Sequence, residues 1–183
     1  MPASQKPAFT KRLYAVLIDY GIILGYMALL ASIALGIYRL TGRLPNWLDY
    51  GVATAEIMGF FVLVLPVGLY LYRLETSAHR ATIGKRVLHL TVISTGRKSM
   101  PSKRQIALRT IIKLLPWEVA HFFMWHAVAT ARDGQNSFPL WLEIGLLGCL
   151  ALPITYVVMV AFQSQGRGPH DLAAGTRVVT AAR

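Results

Sequence analysis

The sequence predicts an all-α membrane protein: a four-transmembrane-helix bundle with an amphipathic cytosolic segment, and room for a small two-stranded cytosolic β ribbon. The chain of 183 residues is 55% hydrophobic and 15% charged, whereas soluble domains carry about 25% charged residues. Its apolar runs are long enough to cross a bilayer, which takes roughly 20 residues. Its basic residues flank these runs instead of forming one soluble basic face. We therefore expect a single membrane domain, 1–183, and no nucleic-acid partner.

Four apolar stretches predict the spanning helices, at residues 11–38, 51–72, 114–131 and 140–162. The first contains nineteen consecutive uncharged residues after Asp19, far more than the apolar core of a signal peptide, so we interpret it as a retained helix. The second contains Pro66, which removes a backbone hydrogen bond and should kink the helix. The third is the least hydrophobic, because it carries Glu118, His121 and His126.

Two polar segments, residues 73–113 and 163–183, complete the chain. In the first, residues 87–93 are rich in β-branched side chains and end at a turn, which predicts a strand. Residues 102–115 alternate apolar and basic side chains in the pattern of an amphipathic helix at a membrane surface. Residues 176–180 predict a second strand. The two strands could pair, and because so small a sheet is marginal alone, it would need support from a helix or the membrane.

The basic residues predict the orientation of the helices. With four spans, sixteen of the nineteen Lys and Arg residues fall on the side that holds both termini and the central segment. Cytosolic loops carry the excess of Lys and Arg. We therefore expect a multi-pass protein of the cell (inner) membrane with both termini in the cytosol.

The first helix has two distinctive stripes. Arg12, Asp19 and Tyr26 follow one another at intervals of seven residues and so share a face. A charged side chain facing lipid costs at least about 2.5–3.5 kcal/mol, so this face needs protein or water against it. The opposite stripe consists of small residues, which let another helix approach closely: Gly21, Gly25, Ala28, Ser32 and Gly36. We expect this helix to be central to the bundle or to a homo-oligomer formed through the small-residue face.

The polar residues of the cytosolic half predict a buried cluster centred on Asp19. Arg12, Asp19, Arg109, Glu118 and His121 all fall in that half of the predicted bundle. Mixed charges in a low-dielectric site are where shifted pKa values are expected, and a histidine titrates nearest neutral pH. Asp19 could be a structural clamp, an ion or proton site, or a substrate contact. The same side chains could also extend to lipid phosphates.

Several kinds of site are disfavoured. The spacing Glu118-x-x-His121 is found in carboxylate metal bundles, but it occurs once, and the other acids lie at different depths, so we expect no metal and no cofactor. Cys149 is the single cysteine and suits packing. Residues 82–85 lack the complete phosphate-binding loop motif. With no catalytic triad order or zinc-protease motif, we expect that the protein is not an enzyme.

The basic residues of the central segment are expected to meet anionic lipid headgroups, each contributing about 1 kcal/mol near the surface. They are Lys85, Arg86, Arg97, Lys98, Lys103 and Arg104. Together with the bilayer itself, these headgroups are the partners that the composition predicts.

Three stretches of the sequence resemble the RDD family of membrane proteins, named for one arginine and two aspartates. They are Arg12-x-x-Ala15-x-x-Ile18-Asp19, residues 81–88 followed by Gln105-x-x-Leu108-Arg109, and residues 166–179 with Asp171. The resemblance implies that Arg12, Asp19 and Asp171 are the family signature. It implies a multi-span membrane protein without a generally established activity, for which transport is commonly presumed.

Asp171 lies after the last helix, on the side of Arg12 and Arg109. An ion pair with either arginine could hold the tail under the bundle; alternatively Asp171 is a solvated aspartate or a helix cap ahead of Leu172. We predict transport of an ion or small solute through the polar cluster around Asp19. The alternative is an accessory protein that binds another membrane protein or anionic lipids through its basic region.

Overall fold

The computed structural model describes residues 7–96, 100–135 and 137–181. Its long helices are α1 (Phe9–Thr41), α2 (Val52–Thr76), α4 (Lys103–Arg132) and α5 (Leu140–Phe162). Two short helices, α3 (Ile83–Val87) and α6 (Pro169–Ala174), each precede a strand, β1 (Leu90–Ser94) and β2 (Thr176–Thr180). The two strands form an antiparallel sheet, as the sequence predicts.

The long helices run alternately up and down. Glu75 near the end of α2, Arg109 near the start of α4 and Asp171 after α5 meet at one end of the bundle, which we call the network end. At the far end, the Arg132 side chain at the end of α4 lies 2.6 Å from the carboxylate of Asp49, which precedes α2. These contacts give the directions of α2 and α4, and the pairs Asp19–Tyr70 and Tyr26–Val62 show that α1 is antiparallel to α2.

Three helices, α1, α2 and α5, are long and apolar enough to cross a membrane, as judged over the described ranges. They indicate a membrane protein. The predicted count of four spans is not confirmed, because α4 is not among them. The predicted surface helix, 102–115, and the predicted third span, 114–131, are in fact one helix of 30 residues. Ser102 and Gln105 form a capping box at its start.

A π-helical turn, Phe60–Val64, occurs within α2 just before Pro66. Proline has no N–H, so the carbonyl four residues earlier, that of Val62, loses its usual partner. The hydroxyl of Tyr26 in α1 donates to that carbonyl at 2.6 Å. A side chain of the neighbouring helix thus replaces the lost hydrogen bond at a depth where no water would be available.

The same arrangement allows α4 to continue through Pro116. The carbonyl deprived of its partner is that of Ile112, and the hydroxyl of Tyr156 in α5 donates to it at 2.7 Å. The predicted division into a surface helix, 102–115, and a separate span, 114–131, is therefore wrong. The helix continues because Tyr156 of the next helix supplies the missing hydrogen bond.

Helix α1 lies at the edge of the bundle. Its buried residues form one stripe, Arg12, Ala15, Asp19 and Ile23, and its most apolar stretch is otherwise exposed. On the small-residue face, a Cβ added at Gly21 would meet nothing within 4 Å. The expectation that α1 is central to the bundle is therefore wrong for the single chain. The other helices of the chain leave the small-residue face of α1 uncovered. Contact with a second copy through this face stays a prediction.

The sheet has a symmetric register. Val92 is paired with Val178 at the middle of both strands. The neighbouring pairs, Thr91 with Val179 and Ile93 with Arg177, lie one residue to either side of it. Both strands also have the same alternation of buried and half-buried residues. A local two-fold axis therefore passes between Val92 and Val178.

The symmetry extends to the segments that lead into the strands. The same number of residues separates β1 from β2, Arg80 from Gly166 and His89 from Gly175. The four residues Arg80, His89, Gly166 and Gly175 all have positive φ. Hydrogen bonds repeat at the same offset: Thr95 N–H donates to the Gly175 carbonyl at 2.9 Å, and Ala181 N–H to the His89 carbonyl at 2.7 Å. The chain thus has a first half (α1, α2, α3 and β1) and a second half (α4, α5, α6 and β2) built on one plan.

Candidate functional site

Asp19 is buried and accepts three hydrogen bonds. Its Oδ1 accepts from the Tyr70 hydroxyl at 2.8 Å and the Gly84 N–H at 2.9 Å, and its Oδ2 accepts from the Thr82 hydroxyl at 2.6 Å. Gly84 lies in the first turn of α3, where backbone N–H groups lack partners within the helix. Asp19 therefore caps α3 from a neighbouring helix.

The close fit of α3 against α1 explains the glycine at position 84. A Cβ at Gly84 would overlap the carbonyl oxygen of Ala15 and lie 3.1 Å from the carboxylate carbon of Asp19. Only a residue without a side chain lets the N–H reach Asp19. The donors to Asp19 are all neutral, so its role in the fold is to hold α3 against α1.

Glu75 is the centre of the charged groups, and it is only 1% exposed. Its Oε2 accepts from the Nε of Arg109 at 2.9 Å, and its Oε1 is ion-paired with the ammonium of Lys85. The ammonium of Lys113 lies 3.8 Å from the same Oε1. A buried carboxylate requires such compensation, because an unpaired charge in a low-dielectric interior is costly.

Arg109 continues the chain of charges to Asp171, and both side chains are 1% exposed. The Nη1 of Arg109 is ion-paired with Oδ1 of Asp171, which also accepts from the Thr176 hydroxyl at 2.9 Å. Burial alone would raise the pKa of Asp171, but Arg109 and the other nearby positive groups hold it below its usual value. The result is an alternating series of buried charges, which we call the four-charge network: Lys85, Glu75, Arg109 and Asp171.

Two groups in this region have shifted pKa values that bear on their protonation. Burial lowers the pKa of Lys85 to about 8, although the carboxylate of Glu75 opposes the change. Burial and the positive charge of Arg109 lower the pKa of His170 well below its usual value. His170 is therefore neutral near pH 7, whereas Lys85 can lose its proton close to the physiological range.

The ion pair between Arg12 and Asp171, one of the two considered above, is not formed. The Nη1 of Arg12 donates to the carbonyl of Gly166, while its Nε and Nη2 have no hydrogen-bond partner among the described residues. Of the two arginines considered for the tail, Arg109 is the one that contacts Asp171. Arg12 instead binds the turn between α5 and α6.

Asp19 is not the centre of the predicted polar cluster. No salt bridge joins it to Arg12 or Arg109 within the described part of the chain. His121 lies about 18 Å from Arg109 along α4, at 1.5 Å per residue, and its ring is 3.2 Å from where a Cβ at Gly59 would be. Glu118 and His121 thus belong to a different level of the bundle.

The residues expected at lipid headgroups divide into two kinds. Lys85 is buried in the network, so the prediction that it meets headgroups is wrong. Arg86 is half-buried and donates to the Ala81 carbonyl at 3.0 Å. Lys103 and Arg104 are exposed at the start of α4, and their contact with lipid stays a prediction. Two more such residues, Arg97 and Lys98, lie outside the described residues.

Glu75 is the functional residue that the sequence reasoning missed. It is the only acidic residue among ten basic ones in the segment 73–113, and that isolation was an available signal. Within the described ranges, no three His, Cys, Asp or Glu side chains are grouped as metal ligands would be. The expectations of no metal and no cofactor stay predictions.

Comparison with known proteins identifies the chain by its family. The profile of the RDD family matches residues 6–175, a range that includes Arg12, Asp19, Arg109 and Asp171. Neither the curated proteins nor the solved structures contain a match. Because the family profile covers nearly the whole sequence, the chain belongs to the RDD family.

Proposed function

We propose that this protein transports an ion or small solute across the membrane, with the four-charge network as its proton-responsive element. The observation that carries the proposal is the position of the network: its middle contact, Glu75 with Arg109, joins the first half of the chain to the second. Many transporters are built from internal repeats and place their sites where the repeats meet. Ionisable residues retained within a membrane protein mark such sites.

The proposal includes four membrane crossings. Helix α4 begins at the network end and finishes at the far end, near Asp49, so it covers the same depth as the three apolar helices. Its polar residues then face the bundle instead of lipid. Four crossings place both termini on one side, and the excess of basic residues on that side supports a cytosolic orientation in a cell membrane.

Lys85 is the group through which protons would act. With a pKa of about 8, it is charged in mildly acidic conditions and increasingly neutral above pH 8. When Lys85 loses its proton, Arg109 is the closest remaining cation to Glu75. The charge of Glu75 is then compensated mainly by the ion pair that joins the two halves. Asp19, whose donors within the described part of the chain are neutral, holds α3 in place for this change.

A flux assay tests the proposal. Purified protein is reconstituted into liposomes that contain a pH-sensitive dye, and Na⁺ or K⁺ is added outside. We expect cation-driven proton movement with the natural protein and with the exposed control Lys103→Gln, and none with Lys85→Gln. Because Lys85→Gln could fail to fold, Lys85→Arg serves as a second variant: it keeps the positive charge but does not titrate near neutral pH, so the pH dependence of the flux should disappear.

An accessory role is the second candidate, and one observation favours it. The most apolar windows of α1 and α5 are not buried inside the single chain, which leaves surface that another membrane protein could cover. Neither candidate involves catalysis. Liposomes that stay inert to every cation tried, from protein that copurifies with one membrane partner, would overturn the transport proposal in favour of this one.

A further inference from the structure

An open groove with a volume of about 430 Å³ lies between α2 and α3 at the network end. Most of its lining is apolar and consists of Pro66, Leu69, Leu74 and Ile83, with the ring of Tyr70 beside them. Arg73 completes the lining, and it is the one charged residue among the described residues that form the groove. An apolar surface with a single cation at its side suits a ligand that has both an apolar and an anionic part.

The charge of Arg73 is available to such a ligand. Its side chain is exposed, and no acid forms an ion pair with it within the described ranges. Other arginines of this end are already engaged. Arg86 donates to the Ala81 carbonyl and the Ser77 hydroxyl, each at 3.0 Å, and Arg109 belongs to the four-charge network.

Arg73 lies at the level where α2 leaves the apolar part of the membrane. No charged residue occurs from Ile57 to Tyr72, a stretch of about 24 Å at 1.5 Å per residue. Leu69 and Pro66 precede Arg73 on the same helix and so lie deeper in the bilayer. The groove therefore passes from the acyl chains at Pro66 to the headgroups at Arg73.

Helix α3 supports this placement. Ile83 and Val87 are four residues apart, share one face of the helix, and are 41% and 58% exposed. Lys85, on the other side of the helix, is buried in the network. An apolar helix face at the boundary of a bilayer contacts acyl chains. The groove is thus open toward lipid on the side that α3 forms.

The second half differs from the first at this place. The separation that relates Lys85 to Asp171 also relates three residues beside the groove to residues of the second half: Arg73 to Met159, Tyr70 to Tyr156 and Gly84 to His170. Methionine has no charge, and the ring of His170 is stacked on that of Tyr156 with their centres 5.9 Å apart. The charged groove is therefore a property of the first half and does not follow from the shared plan.

We propose that this groove binds one anionic phospholipid, whose phosphate accepts from the guanidinium of Arg73 and whose acyl chain lies along Leu69 and Pro66. Arginine matches the geometry of a phosphate with paired donors, and the cytosolic leaflet supplies anionic lipids. A free phosphate would leave the apolar lining uncovered. Lys103 and Arg104, where the sequence predicted headgroup contacts, do not line this groove. The proposal does not depend on transport, because it requires only that α2 crosses the membrane.

The test uses the full chain in a non-ionic detergent, with phosphatidylglycerol or phosphatidylcholine of the same acyl chains added. Native mass spectrometry gives the dissociation constant of the first bound lipid. We expect phosphatidylglycerol to bind about fivefold more tightly, which corresponds to the contribution of about 1 kcal/mol from one basic residue near the headgroups. Arg73→Gln should remove this preference, whereas Arg73→Lys, which keeps the charge, should retain most of it.

Two further variants complete the test. Arg104→Gln removes an exposed cation of the same end and should leave both dissociation constants unchanged. Leu69→Ala removes part of the apolar lining and should weaken the binding of both lipids by the same factor. Thermal unfolding of every variant should match that of the natural protein.

Three results would overturn the proposal. The first is equal affinity of the natural protein for the two lipids. The second is a preference for phosphatidylglycerol that persists in Arg73→Gln or that is lost equally in Arg104→Gln. The third is displacement of bound phosphatidylglycerol by glycerol 1-phosphate, its soluble headgroup, because the groove would then hold a free phosphate without need of the acyl chain.

Discussion

The two halves of the molecule share a plan but differ in charge at equivalent positions. Lys85 in α3 and Asp171 in α6 stand at the same point of the repeated helix–strand segment, and each is paired with a long helix of its own half, at Glu75 and at Arg109. Each half is therefore neutral by itself at this level. The opposite order of the charges allows Glu75 of one half to contact Arg109 of the other. Equal charges at the equivalent positions would have prevented this contact.

The halves also differ in how each short helix is attached to the helix that opens its half. Asp19 holds α3 to α1 through neutral donors, whereas Arg109 holds α6 to α4 through an ion pair. An attachment by neutral hydrogen bonds is insensitive to small changes in charge. An attachment by buried ions is costly to break, because the remaining partner is left uncompensated.

The largest expected effect comes from removing Arg109, which is paired with an acid of each half. Arg109→Ala leaves Glu75 without its closest hydrogen-bonding cation apart from Lys85, and leaves Asp171 buried without its ion pair. We expect a loss of about 3–5 kcal/mol in the free energy of unfolding, measured by thermal unfolding in detergent. Arg104→Ala, a change at an exposed position near the start of the same helix, should stay within about 0.5 kcal/mol. Equal stability of the two variants would show that the network does not join the halves.

The next effect tests the attachment of the first half. Gly84→Ala places a Cβ against the backbone of Ala15 and should force α3 away from α1. We expect a cost of about 1–3 kcal/mol, with loss of the hydrogen bond to Asp19. Gly148→Ala in α5, where an added Cβ meets nothing within 4 Å, is the matched control. If the two alanine variants unfold at the same temperature, the close contact between α1 and α3 is not present.

An effect of similar size is expected in each half from the loss of one tyrosine hydroxyl. Tyr26→Phe uncovers the carbonyl left free by Pro66, and Tyr156→Phe uncovers the one left free by Pro116. Each change should cost about 1–3 kcal/mol, since it leaves one buried acceptor without a partner. Thermal unfolding of the single and double variants measures this, and additive losses are expected because the sites belong to separate helix pairs. A loss in one half only would show that one of the two carbonyls is not covered by its tyrosine.

The last prediction concerns the dependence of stability on pH. Near pH 7 this effect is the smallest of the four, because only a small fraction of Lys85 is deprotonated there. Its pKa is lowered from 10.5 to about 8 in the folded protein, so the unfolded chain binds more protons between these values. The contribution of Lys85 to stability therefore rises with pH from about 8 to 10.5. The difference in unfolding free energy between the natural protein and Lys85→Met should change in that direction. A difference that does not vary with pH would contradict the assignment.

Much of the fold could be predicted because hydropathy and β-branched runs are local signals. The apolar helices and both strands follow from them. The continuity of α4 did not, since it depends on Tyr156, a residue of another helix, donating to the carbonyl freed by Pro116. Partners within the site are likewise tertiary: nothing near Glu75 in sequence shows that Lys85 and Arg109 converge on it. Glu118 and His121 were grouped with Asp19 because the sequence assigns each residue only to the cytosolic or the outer half of the bundle. It does not show at which level within that half a side chain lies.

The symmetric pairing of β1 with β2 has a consequence for how the protein is made. The ribosome completes β1 long before β2 exists, and domains synthesised first generally fold first. During that interval the first half has Lys85 and Glu75 to neutralise each other, so it can enter the membrane without an uncompensated acid. Arg109 arrives later, and its own counterion, Asp171, follows only after α5 has been synthesised. Biogenesis can thus proceed one hairpin at a time, and the sheet closes as the last step.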